Sequence, residues 1–282
     1  MLGWGAMLKN MYFTSLVSCL FLSLLSTAHA EQKFTVGVVP QFEARRIAEI
    51  WQPILNKVSK QSGIELVLRA SPSIPEFEKQ LVAGEFDFAY MNPYHAIIAN
   101  MQQGYAPLLR DTGRNLYGII VVRKDSPIQT VGELDGKTVA FPSPNALGAA
   151  LIPRAEFARK FNIKPNEIYV KSHSSVYLNV LLGRAAAGGG VQKTLSQQPA
   201  EIRDQLRVLY KTSEVPSHPL TVHPRINADV RSRVISVFLE LGISEPGKLM
   251  LKNIPINQIG KADIVDYAPV AEMGLDQFYV GK

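Results

Sequence analysis

What most constrains the fold of this chain is an alternation of short apolar runs with helix-period apolar spacing. It passes through three strands, breaks, and then starts again. Residues 34–39 predict a strand. Ile47, Ile50, Trp51, Ile54, Leu55 and Val58 recur at three and four, the pattern of an amphipathic helix, and Gly63 marks its end. Residues 64–68 predict a second strand. A helix with Ser73 as its cap runs through Phe77 and Leu81 to Gly84, and residues 86–90 form a third strand. Strand–helix–strand order of this kind predicts a parallel sheet with helices on its faces.

After a helix over 93–103 and an apolar run over 106–109, the polar break Thr112-Gly113-Arg114-Asn115 intervenes. Residues 117–122 then open a second series: a strand over 138–141, a helix over 147–161, a strand over 168–170, a helix over 176–182, and closing segments at 185–190 and 206–210. The stretch Val215-Pro216-Ser217-His218-Pro219 leads to a helix over 228–241 capped by Asn227. The expected class is α/β with two lobes, each a mostly parallel sheet flanked by helices. Residues 31–115 and 216–282 make lobe 1, and 116–215 make lobe 2. Two crossings between lobes make a hinge with a cleft, the geometry of receptors that close on a ligand.

The N-terminus reads as an export signal. Lys9 is the one charged residue in the first thirty, an apolar run follows from Phe13, and Ala28-His29-Ala30 supplies a small-residue cleavage site. The run is short for a membrane span. Leu16-Val17-Ser18-Cys19 resembles a lipidation site, but the residues after Cys19 stay apolar, so cleavage after Ala30 and release into a periplasm is favoured over a lipid anchor. Met7 and Met11 are alternative starts. Cys19 is the single cysteine, so the mature chain holds no disulfide and no thiolate site. With 46% hydrophobic residues it can rely on its core alone. The formal charge of +6 is spread out rather than clustered, which suits small anions and argues against nucleic acid as a partner.

Three strand-to-helix junctions carry candidate binding residues. The first holds Asn92, a good cap, and Tyr94 at the start of the helix that Pro93 opens. The second, Phe141 to Gly148, offers Ser143, Asn145 and Ala146 before a helix whose first N–H groups attract anions. The third is the polar run Ser172-His173-Ser174-Ser175, where His173 can donate to an anionic oxygen. At each junction the alternative is ordinary capping and packing. Convergence of all three at the carboxyl ends of strands would place them in one cleft. The Gly-rich segment 183–190 lacks the spacing of a dinucleotide site and more simply lets backbones approach closely. His218 and His223 straddle Pro219, so no zinc site is expected there, and no cofactor or metal is implied elsewhere.

At these junctions, and across nearly the whole mature chain, the sequence resembles the phosphate/phosphite/phosphonate-binding proteins of ABC importers, the PhnD-like family. The stretches that carry the resemblance are Val36-Gly37-Val38-Val39-Pro40, Asp87 through His95, Gly132 through Phe141, Ser172-His173-Ser174-Ser175 and His218 through Pro224. The resemblance implies the type II periplasmic-binding fold, with Tyr94 facing an oxyanion from the first lobe and the helix start at 143–146 and His173 facing it from the second. Pro144-Asn145-Ala146 replaces a hydroxyl-rich run common in the family. Ala186 stands where many members carry an Asp, which argues against aminoalkylphosphonates. The implied function is a monomeric, non-catalytic receptor that binds a phosphonate, phosphite or phosphate and delivers it to a membrane permease. A periplasmic sensor feeding a kinase or chemoreceptor is the alternative. A secreted enzyme on this scaffold would need a base, nucleophile or metal constellation that the sequence does not display.

Overall fold

The computed structural model describes residues 32–254 and 256–281. The expected export signal and Cys19 therefore lie outside the described residues. From Lys33 onward the chain forms one compact unit.

Strand β1 (Lys33–Val38) leads into helix α1 (Ala44–Ser62), which buries Ile47, Trp51, Ile54, Leu55 and Val58 on one stripe. The helix stops at Gly63, whose left-handed conformation (φ 67°) lets its N–H bond the Ser59 carbonyl at 2.9 Å. β2 (Glu65–Arg69) follows. Helix α2 (Ile74–Val82) begins at Ser73, whose hydroxyl accepts from the Glu76 N–H. β3 (Phe88–Tyr90) runs into α3 (Pro93–Gln103), and β4 (Ala106–Asp111) completes the first run.

β5 (Leu116–Arg123) starts the second series, followed by β6 (Thr138–Phe141) and a continuous helix α4 over 147–161. Next come β7 (Asn166–Tyr169), α5 (His173–Leu181), β8 (Ala187–Val191) and the short α6 (Gln192–Ser196). The last elements are β9 (Leu206–Val215), β10 (Leu220–Val222), α7 (Ala228–Ile243), α8 (Glu245–Asn253) and β11 (Ile259–Lys261).

The strands form two sheets, one in the order β11-β4-β10-β3-β1-β2 and one in the order β7-β6-β8-β5-β9. Both sheets are mixed, which corrects the expectation of mostly parallel ones. β1 pairs in parallel with β2 and β3, and β6 with β7 and β8. β10 runs antiparallel to β3 and β4, β11 to β4, and β5 to β8 and β9. The reason is topological. β5 and β10 each enter their sheet from the other one, without the helical crossover that keeps successive strands parallel. The antiparallel strands β10 and β11 have short, weakly alternating sequences that periodicity alone does not reveal.

One core packs α1 and α7 against the first sheet, with Trp51 lying 4.9 Å from the Tyr90 ring. A second core runs across both sheets, from Phe77 and Phe86 on one side to Ile120, Val139 and Phe141 on the other. The two lobes therefore meet over apolar surface, and the carboxyl ends of β1, β3, β6, β7 and β8 converge on that seam.

Candidate functional site

The seam is built from turns that follow those strand ends. After β3, Asn92 caps α3 by accepting the His95 N–H at 2.8 Å, and its own amide donates to the Asn145 carbonyl at 3.3 Å. After β6, the first turn of α4 is wide. The N–H groups of Ala150 and Leu151 both reach the Ala146 carbonyl, at 2.7 and 3.1 Å. Such π-type turns occur often at functional sites. The preceding N–H groups of this turn have no partner inside the helix.

What lets α4 press onto the sheet is the Gly-rich strand β8, together with Gly118 in β5. A Cβ at Gly118 would overlap the Gly148 carbonyl oxygen, one at Gly189 the Ala149 carbonyl oxygen, and one at Gly190 the Tyr177 hydroxyl. After β7, Lys171 takes a left-handed conformation (φ 74°) that few non-glycine residues adopt. Ser172 then caps α5 by accepting the Ser175 N–H at 3.2 Å, so His173 is the first residue of that helix rather than part of a loop.

A cavity of about 20 Å³ lies at the seam, lined by Gln41, Asn92, Ala146, Gly148, His173 and His218 among others. His173 is 2% exposed, and neither ring nitrogen has a partner in hydrogen-bonding geometry. Burial holds its imidazole down at about 4, opposed in part by the Gln41 carbonyl. His218 stacks on the Tyr90 ring, with centroids 5.5 Å apart. It is pushed down to about 3 by burial, with His95 and His173 adding to the effect. Both side chains are thus neutral at pH 7, and each offers one N–H donor.

Polar contacts close the seam from both sides. The Ser172 hydroxyl donates to Glu43 Oε1 at 3.1 Å, the His173 N–H to the Gln41 carbonyl at 3.4 Å, and Arg46 Nη2 to the Gln197 carbonyl at 2.9 Å. A cavity this size holds one or two waters (about 10–15 Å³ each). A tetrahedral oxyanion is larger, so admitting one requires the two faces to part.

The structure distributes the expected site residues unevenly. Asn92, Ala146 and His173 line the cavity. Ser172 and Ser174 support α5, Ser174 by accepting from the Gln198 amide at 3.4 Å. Ser143 is buried, with its hydroxyl unpartnered, beside the start of α4. Asn145 and Tyr94 are placed elsewhere. Asn145 accepts the Val280 N–H at 2.9 Å and donates to the Val280 carbonyl at 2.7 Å and to Glu78 at 3.1 Å. The Tyr94 ring lies 5.4 Å from that of Tyr279 and packs with Leu147 and Leu151. These two residues hold the C-terminal segment across the seam and do not border the cavity.

Ala186 also needs correction. Its N–H bonds the Thr138 carbonyl at the beginning of β6. That is the end of β6 opposite the turn that borders the cavity, and Ala186 is not among the residues lining it.

Residues 36–267 match the family described as ABC transporter, phosphonate, periplasmic substrate-binding protein. The chain belongs to this family. It is 20% identical to the phosphonates-binding periplasmic protein of Escherichia coli, over 95% of this chain and 84% of that one. Its fold is that of a binding protein component of an ABC phosphonate transporter from Pseudomonas aeruginosa, with TM-score 0.79 and 17% identity, covering 86% and 85% of the two chains. It is also that of PhnD1 from Prochlorococcus marinus in complex with methylphosphonate, with TM-score 0.76 and 16% identity, covering 86% and 97%.

Within this substrate-binding protein, sequence reasoning missed two polar cavity residues, Gln41 and His218. His218 carries no motif in the sequence, but the short strand β10 after it returns the chain to the first sheet and leaves its ring at the seam. Gln41 carried no pattern at all. It lies in the turn after β1, and only the sheet order brings that turn opposite His173. Among the described residues no group of His, Cys, Asp and Glu is arranged to hold a metal, and no helix is long and apolar enough to cross a membrane.

Proposed function

We propose that this substrate-binding protein captures a small phosphorus oxyanion, a phosphonate foremost, between His173 and His218 at the seam, and passes it to the permease of an importer. The observation that carries this reading is His173. A buried polar nitrogen left without a partner costs about 1–3 kcal/mol, and here both nitrogens of one ring are in that state. A bound oxyanion supplies the acceptor, and its charge favours the protonated ring. Asn92, Gln41 and the first-turn N–H groups of α4 add donors, and the helix dipole favours an anion at that end. Ser143, Ser172 and Ser174 support this shell. Tyr94 and Asn145 act one layer out, through the C-terminal segment.

The lobes we assign are 31–115 with 216–282, and 116–215. They turn about the crossings at 112–115 and 216–219, and the ligand must favour the closed arrangement for closure to report its presence. The family is that of a transporter component, which favours import over a sensor role. We read the protein as an exported, non-catalytic monomer. Among the described residues neither His173 ring nitrogen is hydrogen-bonded to a hydroxyl or carboxylate, the pairing that a nucleophile–base arrangement would use. That PhnD1 from Prochlorococcus marinus is seen with methylphosphonate supports the ligand class.

Calorimetric titration of the purified protein with methylphosphonate, phosphite, phosphate and sulfate tests this. Saturable binding of a phosphorus oxyanion, lost in His173→Ala and His218→Ala while both variants stay folded by circular dichroism, is the expected result. Equal binding by those variants, or no binding of any phosphorus oxyanion by the wild type, overturns it.

A further inference from the structure

A second and larger cavity, of about 60 Å³, adjoins the first and shares Gln41, Val191 and His218 with it. Its remaining wall includes Tyr90, Arg114, Tyr117, Gln192 and Lys193, and among the described residues no carboxylate lines it. Arg114 is fixed in place by Asp111, whose Oδ2 lies 3.1 Å from its Nε. Asp111 is 1% exposed, does not line the cavity, and also accepts the N–H groups of Gly113, Asn257 and Gln258, so its negative charge is already shared among these donors.

Lys193, half-buried on α6, has no carboxylate partner among the described residues. The charges that act on it, Arg114 and Lys252, are both positive. Burial first, and then those two cations, hold its ammonium below the usual lysine range. Two cations against one committed carboxylate leave an excess of positive charge at the wall of a cavity that opens from the His173–His218 site.

The geometry points to a second anion subsite at Lys193 and Arg114, and hence to a ligand that is an organophosphonate carrying a second acidic group on a short arm. This rests on the reading of the first cavity as the phosphonate site. The head sits between His173 and His218, the arm passes Gln41 and His218, and its carboxylate or second phosphoryl group meets Lys193. The larger cavity has room for about four water-sized positions, the heavy-atom count of a carboxymethyl arm. An ammonium on that arm would enter a positively charged, carboxylate-free space with nothing to offset its desolvation. The subsite therefore selects against aminoalkylphosphonates, and does so without Ala186, which lines neither cavity.

Calorimetric titration with phosphonoacetate, methylphosphonate and 2-aminoethylphosphonate tests the inference. A charge-assisted hydrogen bond to a well-placed cation changes affinity by roughly tenfold to a hundredfold. Phosphonoacetate is therefore expected to bind about that much more tightly than methylphosphonate, and 2-aminoethylphosphonate more weakly than either. Lys193→Gln should bring the phosphonoacetate-to-methylphosphonate ratio close to one, whereas Lys60→Gln, which removes the same charge from an exposed helix face, should keep it. Raising salt should narrow the ratio in the wild type. Methylphosphonate binding with no preference for phosphonoacetate, or a ratio unmoved by Lys193→Gln, overturns this inference and leaves the first site standing. Failure of all three phosphonates to bind overturns both.

Discussion

If His173 is buried for a ligand rather than for the fold, replacing it with an apolar side chain of similar size should make the empty protein more stable. His173→Leu is the perturbation. At pH 7.5 it removes two unpartnered ring nitrogens, each of which costs about 1–3 kcal/mol, so a gain of about 1–3 kcal/mol is expected after allowing for imperfect packing. A pH term adds to this. Burial lowers the folded-state value from 6.5 to about 4, so the unfolded chain takes up a proton on His173 as pH falls below 6.5 while the folded chain does not. The contribution of neutral His173 is thus fully present above 6.5 and is lost progressively as pH falls towards 4. At pH 5 the loss amounts to about 2 kcal/mol, taking 1.36 kcal/mol per unit over 1.5 units. Leucine does not titrate, so the stability gap between variant and wild type should widen by about that much between pH 7.5 and pH 5. Urea unfolding of the ligand-free protein, followed by the fluorescence of buried Trp51, measures both quantities. The variant should also fail to bind any phosphonate, a gain in stability at the expense of function. A variant less stable than wild type at pH 7.5 would refute the reasoning, because His173 would then be satisfied in the fold. A gap that does not change with pH would show that its ring is not held neutral.

Binding of an oxyanion should be accompanied by proton uptake, since an anion beside His173 and His218 raises values that burial now holds at about 4 and about 3. Titration in two buffers of different ionisation enthalpy, at pH 6, should give different heats with the sign of uptake, and affinity should rise as pH falls. Arg46→Ala removes the hydrogen bond to the Gln197 carbonyl across the seam. It should weaken ligand binding roughly threefold to tenfold by calorimetry, because the lost bond joins the two sides of the seam and so favours their closed arrangement. Gly189→Ala drives a Cβ into the Ala149 carbonyl oxygen and against the Phe141 ring. It should lower stability by about 1–3 kcal/mol or more in urea, and reduce affinity by displacing the first turn of α4. Asn145→Ala cuts both of its hydrogen bonds to Val280 in the C-terminal segment, and limited carboxypeptidase digestion followed by mass spectrometry should show faster trimming past Val280.

Periodicity sufficed for the longer elements. The stripe from Ile47 to Val58 and the caps at Ser73, Asn92 and Asn227 are local devices: each depends on spacing along one helix or on a side chain reaching an N–H three residues away. The junctions at 92, 143–146 and 172–174 were legible for the same reason, because a polar residue between a strand and a helix marks a turn at a strand end. Which of those residues border the cavity was not legible. Asn145 and His173 occupy similar positions in the sequence, each beside the start of a helix. Asn145 is turned to the C-terminal segment and His173 to the seam, and only the placement of residues 278–280 separates them.

The amino-acid sequence by itself determined two alternating α/β runs, the chain breaks between them, the absence of cysteine after Cys19, and the family. These follow from patterns that act over a few residues or accumulate along the chain. The tertiary structure alone decided that β5 and β10 run against their neighbours, that Gln41 and His218 join His173, and that Lys193 and Arg114 share one cavity wall. Those facts depend on which turns the two sheets bring face to face, and burial and unpartnered charge come into being only when distant segments meet.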